Sequence, residues 1–308
     1  MIFLKTWISA FRLRTLPLSI SGILVGLALA NINGQWDDVL FWGAISTTLL
    51  FQITSNLAND LGDTLKGTDT DKRIGPMRSV QSGLISKKTM TSAILLFVVL
   101  CCCSSIFLIY YCSKTLTASA ILIYGVLALL CIIAAITYTI GKKAYGYHGL
   151  GDLMVFIFFG AVSVVGSFGL FGNPLNMQTI LACISIGAWS VGVLNLNNMR
   201  DQENDKLSNK NTLAVKFGYD GAKNYHIGLL IIGIISWTIL LCSLYVKDKN
   251  AIYFIALLPY FFFIKHLLKI KKIELPKDFD PELKVLALST FLAALLLFIS
   301  SFLMEYFV

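Results

Sequence analysis

Apolar runs of roughly 18 to 24 residues recur along this chain, close to the ~20 residues that carry a helix across a bilayer core. They fall at about 16–33, 39–59, 91–112, 117–140, 151–172, 178–199, 225–246, 250–270 and 285–306. None alternates polar and apolar positions as barrel strands do, and only helices or closed barrels satisfy backbone groups in hydrocarbon. The pattern predicts an all-α, polytopic membrane protein with about nine spans. The connections are unequal. Those at 60–90 and 200–224 are long and polar, whereas 34–38, 113–116 and 173–177 are short, which points to function on one side of the membrane.

Composition agrees with that reading. Of the 308 residues, 56% are hydrophobic and 14% charged, and the mean hydropathy is +0.76, more apolar surface than a soluble core of this size hides. Placing the N-terminus and alternate connections in the cytoplasm puts every basic residue except Lys114, Lys247 and Lys249 on that side, as the positive-inside rule requires. The net charge of +8 is then topological bias plus attraction to anionic membrane lipids, and implies no nucleic-acid partner. The basic start runs into the first span without a small-residue cleavage site, so that span is expected to be retained. Cys101, Cys102, Cys103, Cys112, Cys131, Cys183 and Cys242 lie in or beside spans without metal-ligand spacing. They read as small hydrophobes rather than a disulfide framework.

Two polar segments interrupt this lipid-adapted chain. In the first, Asn56, Asn59, Asp60 and Asp63 are spaced i, i+3, i+4, i+7 and share one helical face; in the second, Asn198, Asp201 and Asp205 repeat the pattern at i, i+3, i+7. Asp60, Asp63, Asp69, Asp71, Asp201, Glu203 and Asp205 gather in two brief stretches of a chain with only 17 acidic residues. Acids at helix C-termini oppose the macrodipole, and crowding them there is unfavourable without a counter-charge. Hard divalent cations such as Mg²⁺ take oxygen ligands, usually one or two protein carboxylates with substrate phosphates and water completing the shell. The clusters therefore read as metal half-sites meeting over a diphosphate, with a solvated acidic face as the plainer alternative. Four spans separate the segments, which suggests a single domain over 1–308 built of two related halves, 1–145 and 146–308.

Basic residues follow the acids. Lys66, Lys72, Arg73 and Arg78 trail the first cluster, Arg200, Lys206 and Lys210 surround the second, and Lys142 and Lys143 end the fourth span. Such groups can neutralise a departing diphosphate, although topology alone also places basic residues here. Arg78, following Gly75-Pro76, is the best placed because a turn holds it. His148, His226 and His266 lie at span ends, far apart in sequence, and are expected to lack a base partner.

The stretch Asn56-Leu-Ala-Asn-Asp-Leu-Gly-Asp63, with Lys66-Gly67-Thr-Asp69, Arg73-Ile-Gly-Pro76-Met-Arg78 and Ser82-Gly83, resembles the first aspartate motif of the UbiA superfamily of intramembrane prenyltransferases, nearest the branch acting on 1,4-dihydroxy-2-naphthoate in menaquinone synthesis. Arg12-Leu-Arg14-Thr-Leu-Pro17, Tyr138-Thr139, Tyr145-Gly-Tyr147, Gly149-Leu-Gly151, Phe158-Phe-Gly160 and Asn198-Met-Arg-Asp201-x-x-x-Asp205 add to the likeness, which runs to about Gly218. The resemblance implies nine helices around a central cavity open to the cytoplasmic leaflet of the bacterial inner membrane. It implies Mg²⁺ held by Asp60, Asp63, Asp201 and Asp205, with an isoprenoid tail between helices. Polyprenyl diphosphate and 1,4-dihydroxy-2-naphthoate would be the substrates, and pyrophosphate, CO₂ and demethylmenaquinol the products. Asn56, Asn59, Asn198, Lys66, Lys142, Lys143 and Arg200 would then line the substrate site, Arg12 and Arg14 would meet the acceptor's carboxylate, and Tyr138, Tyr145, Tyr147 and Phe158 would offer π faces to cationic character. For Tyr145 and Tyr147 the interfacial aromatic belt is an equal reading.

Two positions depart from the branch. Asn209 stands where its members usually have glycine, and asparagine tolerates the left-handed turn; Asp152 stands where relatives often have glutamate. A different aromatic acceptor is the nearest alternative. A secondary transporter is the other, but its ionisable groups would sit near the bilayer midplane, where this chain has almost none.

Overall fold

The computed structural model describes residues 2–68, 74–75 and 77–304. These are helical, with no strand among them. The chain opens with α1 (Ile2–Phe11) and a short 3-10 turn, followed by α2 (Leu16–Ile32), α3 (Asp38–Leu65), α4 (Lys87–Cys112) and α5 (Ala118–Thr137). One long segment then runs as α6 (Gly151–Val155), a π-helix (Phe156–Val165) and α7 (Gly166–Gly169). Next come α8 (Met177–Arg200), the short α9 (Gln202–Leu207), α10 (Leu213–Asp248), α11 (Tyr260–Ile270) and α12 (Phe279–Leu303).

Among the described residues, eight helical segments are long and apolar enough to cross a membrane, and the protein is an integral membrane protein. The expected span at 39–59 forms as α3. Its 28 residues reach ~42 Å at 1.5 Å per residue, but it is too polar to be counted with the other eight. The reason lies in its inner face. Thr47, Thr48, Gln52, Ser55 and Asn59 recur at helical spacing and point into a cavity rather than into lipid. In α5, by contrast, Leu122, Ile123, Val126, Leu129, Leu130 and Ile133 are exposed, as expected where hydrocarbon chains take the place of a protein neighbour.

The centre of the bundle is α2, packed against α3, α12 and the π-helix. Val25, Leu27, Ala28 and Ala30 are fully buried there. Lipid offers little hydrophobic drive for one helix to leave it for another, so close backbone approach through small residues does the work. A Cβ on Gly22 would lie 1.9 Å from Ser163 Oγ, and one on Gly26 would lie 2.0 Å from Ser167 Oγ. Gly26→Leu is expected to separate α2 from the π-helix and lower the thermal midpoint of the detergent-solubilised protein by several degrees, since overpacking costs about 1–3 kcal/mol. An unchanged midpoint would show that this contact does not hold the bundle. Elsewhere in the core, Trp189 of α8 meets Phe263 of α11 at 4.5 Å and Trp237 of α10 at 5.6 Å, both in tilted contacts.

Candidate active site

α3 and α8 end on the same face of the bundle, and the loops that follow them meet. Thr68 O accepts from Asn204 Nδ2 at 2.9 Å. The closer link is Tyr147, in the 3-10 turn Tyr145–Tyr147. Its hydroxyl donates to Asp63 Oδ1 at 2.8 Å. Its ring lies 3.9 Å from Lys66 Nζ and 5.6 Å from Lys210 Nζ, both within cation–π range. Lys210 in turn reaches Asp205 Oδ1 at 3.6 Å. One tyrosine therefore joins an acid of the first motif to the basic residues of both.

Within the first motif the four polar residues divide their tasks. Asn56 Nδ2 donates to Phe11 O at 2.9 Å and to Thr15 Oγ1 at 3.1 Å, tying the motif to the N-terminal segment that carries Arg12. That residue adopts a left-handed backbone (φ 52°), and its charge acts on Asp60. Asn59 accepts from Thr139 Oγ1 at 3.2 Å and faces the cavity. Asp60 accepts from the backbone amides of Ser79 and Val80 at 3.1 and 3.2 Å, which shapes the loop bearing Arg78. Asp63 keeps its second oxygen toward Arg78 Nη2, 3.8 Å away. Gly62 has no room for a side chain, because a Cβ there would sit 2.9 Å from the backbone carbon of Thr139.

In the second motif Arg200 is buried and does not face open space. Its Nε and Nη2 grip Asp201 Oδ1 and Oδ2 at 2.9 and 2.7 Å, Nη2 also donates to Asn197 Oδ1 at 2.8 Å, and Nη1 pairs with Asp280. Asn198 is buried. Asp205 is 2% exposed and its Oδ2 has no hydrogen-bond partner. Burial pushes its carboxyl up to about 6, Lys210 opposing and Asp201 and Asp63 adding to the rise. Burial also works against the charge on Lys210, but Asp205 and Asp63 outweigh it and hold the ammonium protonated. Lys66 is lowered by burial, with Asp63 opposing and Lys210 adding to the fall. The site thus crowds anions together and cations together.

Not every expected residue converges. Arg14, Lys142 and Lys143 are exposed. Asp69, Asp71, Lys72, Arg73 and Pro76 lie outside the described residues. Tyr138 lies at the head of the cavity and meets Tyr145 edge-on at 5.2 Å. Lys210, whose part the sequence left open, is drawn inside by the turn before it, where Asn209 adopts φ 55°, the left-handed conformation expected of it. The histidines need correction. His226 and His266 pair through their Nε2 atoms at 2.8 Å, His266 Nδ1 meets Glu282 Oε2 at 2.6 Å, and Lys269 meets Oε1 at 2.6 Å. Residues on three separate helices make this buried chain, so sequence spacing gave no sign of it.

From Asn59 and Tyr138 an apolar cavity of about 360 Å³ runs along the bundle past Phe51, Ala128, Phe158 and Val162 to Gly166 and Leu170. The π-helix forms one wall, and its wider turn sets Phe158 and Phe159 side by side on it. Among the described residues no three His, Cys, Asp or Glu side chains converge tightly enough to cage a metal ion unaided. An all-oxygen donor set with one buried, unpartnered carboxylate oxygen instead fits a Mg²⁺ ion that shares its shell with a phosphate.

The sequence matches the UbiA prenyltransferase family over residues 19–278. The chain belongs to that family. It is 42% identical over 228 residues to the 1,4-dihydroxy-2-naphthoate octaprenyltransferase of Escherichia coli (strain K12), covering 74% of this chain and 73% of the relative. Identity to the enzyme of the same name from Haemophilus influenzae is 36% over 296 residues, 95% and 94% of the two chains. A UbiA homologue from Aeropyrum pernix K1 shares the fold at a TM-score of 0.65 and 13% identity over 91% of this chain and 97% of that one. A digeranylgeranylglyceryl phosphate synthase does so at 0.61 and 20% identity over 98% and 99%.

Proposed function

We propose that this member of the family transfers a polyprenyl group from polyprenyl diphosphate to 1,4-dihydroxy-2-naphthoate, releasing pyrophosphate and CO₂ and giving demethylmenaquinol. The observation that carries the reading is the junction of the two aspartate motifs at Tyr147, above an apolar cavity, in a chain so close to naphthoate prenyltransferases along its length. We assign the whole of 1–308 to one catalytic unit of two related halves. Its site would face the cytoplasm of the bacterial inner membrane, the side to which the basic loops assign it.

In this mechanism the isoprenoid tail fills the cavity and the diphosphate rests between the motifs. Mg²⁺ held by Asp60, Asp63, Asp201 and Asp205 together with the diphosphate would neutralise charge on the leaving group. Lys66, Lys210 and Arg78 donate to the same oxygens as the bond from prenyl carbon to diphosphate breaks. Tyr138, at the cavity head, presents its ring to the allylic cationic character that develops. The acceptor's carboxylate turns toward Arg12. A carbon–carbon bond then forms at the ring carbon that bears it, and CO₂ leaves with its bonding electrons returned to the ring. The cavity walls exclude water, which would otherwise capture the cation as a prenyl alcohol. Arg200 acts on this chemistry through Asp201, and Arg14, Lys142 and Lys143 attract anions to the site from the surface.

Purified protein given Mg²⁺, a polyprenyl diphosphate and 1,4-dihydroxy-2-naphthoate is expected to form a prenylated naphthoquinol, with pyrophosphate and CO₂ in equal amounts by mass spectrometry and coupled assay. Equal turnover of 4-hydroxybenzoate without CO₂ would move the acceptor to another class. Ion flux in liposomes without prenylation of any acceptor would replace the enzyme by a transporter. For orientation, a cysteine at Ser208 in a cysteine-free background is expected to react with an impermeant reagent only from the cytoplasmic side; labelling of intact cells overturns that assignment.

A further inference from the structure

The first turn of α12 carries two carboxylates, and each ends on a different part of the molecule. Glu282, 3% exposed, receives His266 and Lys269, and through His266 it is linked to His226, whose ring lies 3.5 Å from where a Cβ on Gly192 of α8 would be. This chain sets α12 against α10, α11 and the middle of α8. Asp280, two residues earlier, pairs with Arg200 Nη1 at the end of α8. The other face of the same guanidinium holds both oxygens of Asp201. Asp201, Arg200 and Asp280 therefore form one line of charges.

The sign of that line decides what Asp201 offers. A guanidinium given wholly to Asp201 forms a neutral pair, and a neutral pair has little attraction for a cation. A guanidinium shared with a second carboxylate leaves the group with a net negative charge, part of it on Asp201. We infer that Asp280 is a positioning residue for the second aspartate motif: by drawing on Arg200 from the far side, it keeps Asp201 aligned and anionic enough to serve a divalent cation. This rests on the reading that Asp201 belongs to the metal–diphosphate site. Partners beyond the ligand shell that orient and polarise a ligating carboxylate commonly matter 10–100-fold to affinity or activity. Asp280 also stands at a helix N-terminus, where a carboxylate stabilises the helix by itself; that role alone would alter stability and leave metal binding untouched.

The full-length protein in detergent, titrated with Mn²⁺ in the presence of inorganic pyrophosphate and followed by electron paramagnetic resonance, separates these roles. Asp280→Asn is expected to weaken Mn²⁺ binding roughly 10-fold and to lower kcat, with KM for the naphthoate unchanged and Asp280→Glu restoring most of both. Asp280→Ser is read in the same way if the asparagine variant does not fold. Asp201→Asn serves as the control and is expected to lose the ion. If Asp201→Asn loses Mn²⁺ while Asp280→Asn and Asp280→Ser bind it as the unmodified protein does, the inference fails and the site reading stands. If Asp201→Asn also binds normally, the site reading fails and takes the inference with it.

Discussion

Asp205→Asn is expected to lower turnover by about 10²-fold or more, the scale seen when a preorganised electrostatic group is removed from an active site. Asp205 is buried and has one oxygen without a hydrogen-bond partner, and burial and its acidic neighbours raise its carboxyl to about 6. Those features suit a metal ligand. Asn keeps the size and removes the charge, so the variant should still fold, with a modestly lower thermal midpoint because buried Lys210 loses its main counter-charge, and fail in catalysis. Asp63→Asn should behave in the same way but also loosen Tyr147, since the amide presents a different pattern to the phenol. Exhaustive chelation should stop the unmodified enzyme and added Mg²⁺ restore it. Near-normal turnover of Asp205→Asn, or full activity after chelation, would mean that the metal site has been misplaced.

Filling the cavity is expected to separate donors by length. Ala128 of α5 lines the apolar passage well away from Asp63 and Asp205, so Ala128→Trp should leave the diphosphate site intact while obstructing the tail. Turnover with a long polyprenyl diphosphate should fall roughly 10²-fold, the cost of holding the reacting carbon off its position, whereas geranyl diphosphate should still react. Equal losses for both donors would indicate general disruption, and no loss for either would place the tail elsewhere.

Much of the architecture was legible because its cause is local. Apolar length marks a membrane span wherever it occurs, so all the expected helices are present, and α3 departs only in polarity because its inner face lines a cavity instead of meeting lipid. The aspartate spacing likewise put Asp60 and Asp63 on one helical face. What the spacing could not give was the partner of each side chain. Asn56 and Asp60 turn to backbone groups brought from residues 11 and 79–80. Arg200, next to Asp201 in a motif rich in charge, read as a diphosphate clamp until Asp280 appeared on its far side. Tyr147 could have been one more aromatic at the membrane interface; only the fold brings its ring between Lys66 and Lys210. The asparagine at 209 was the reverse case, since its left-handed turn depends on local sterics alone.

The tie from Asn204 to Thr68 spans 136 residues, and a ribosome adding about 5–20 residues per second needs on the order of 7–27 s to cover them. During that interval α4 and α5 are still being made, and the acid-bearing end of α3 has neither Lys210 nor the second motif to meet. Tyr147 arrives part-way and can occupy Asp63, protecting that carboxylate before its final neighbours exist. The order of synthesis therefore leaves the acid-bearing end of α3 incomplete until α9 and Lys210 have followed it. A chain stopped before Lys210 would carry the first motif without the cation that Tyr147 and Asp205 hold beside it, and is expected to be inert.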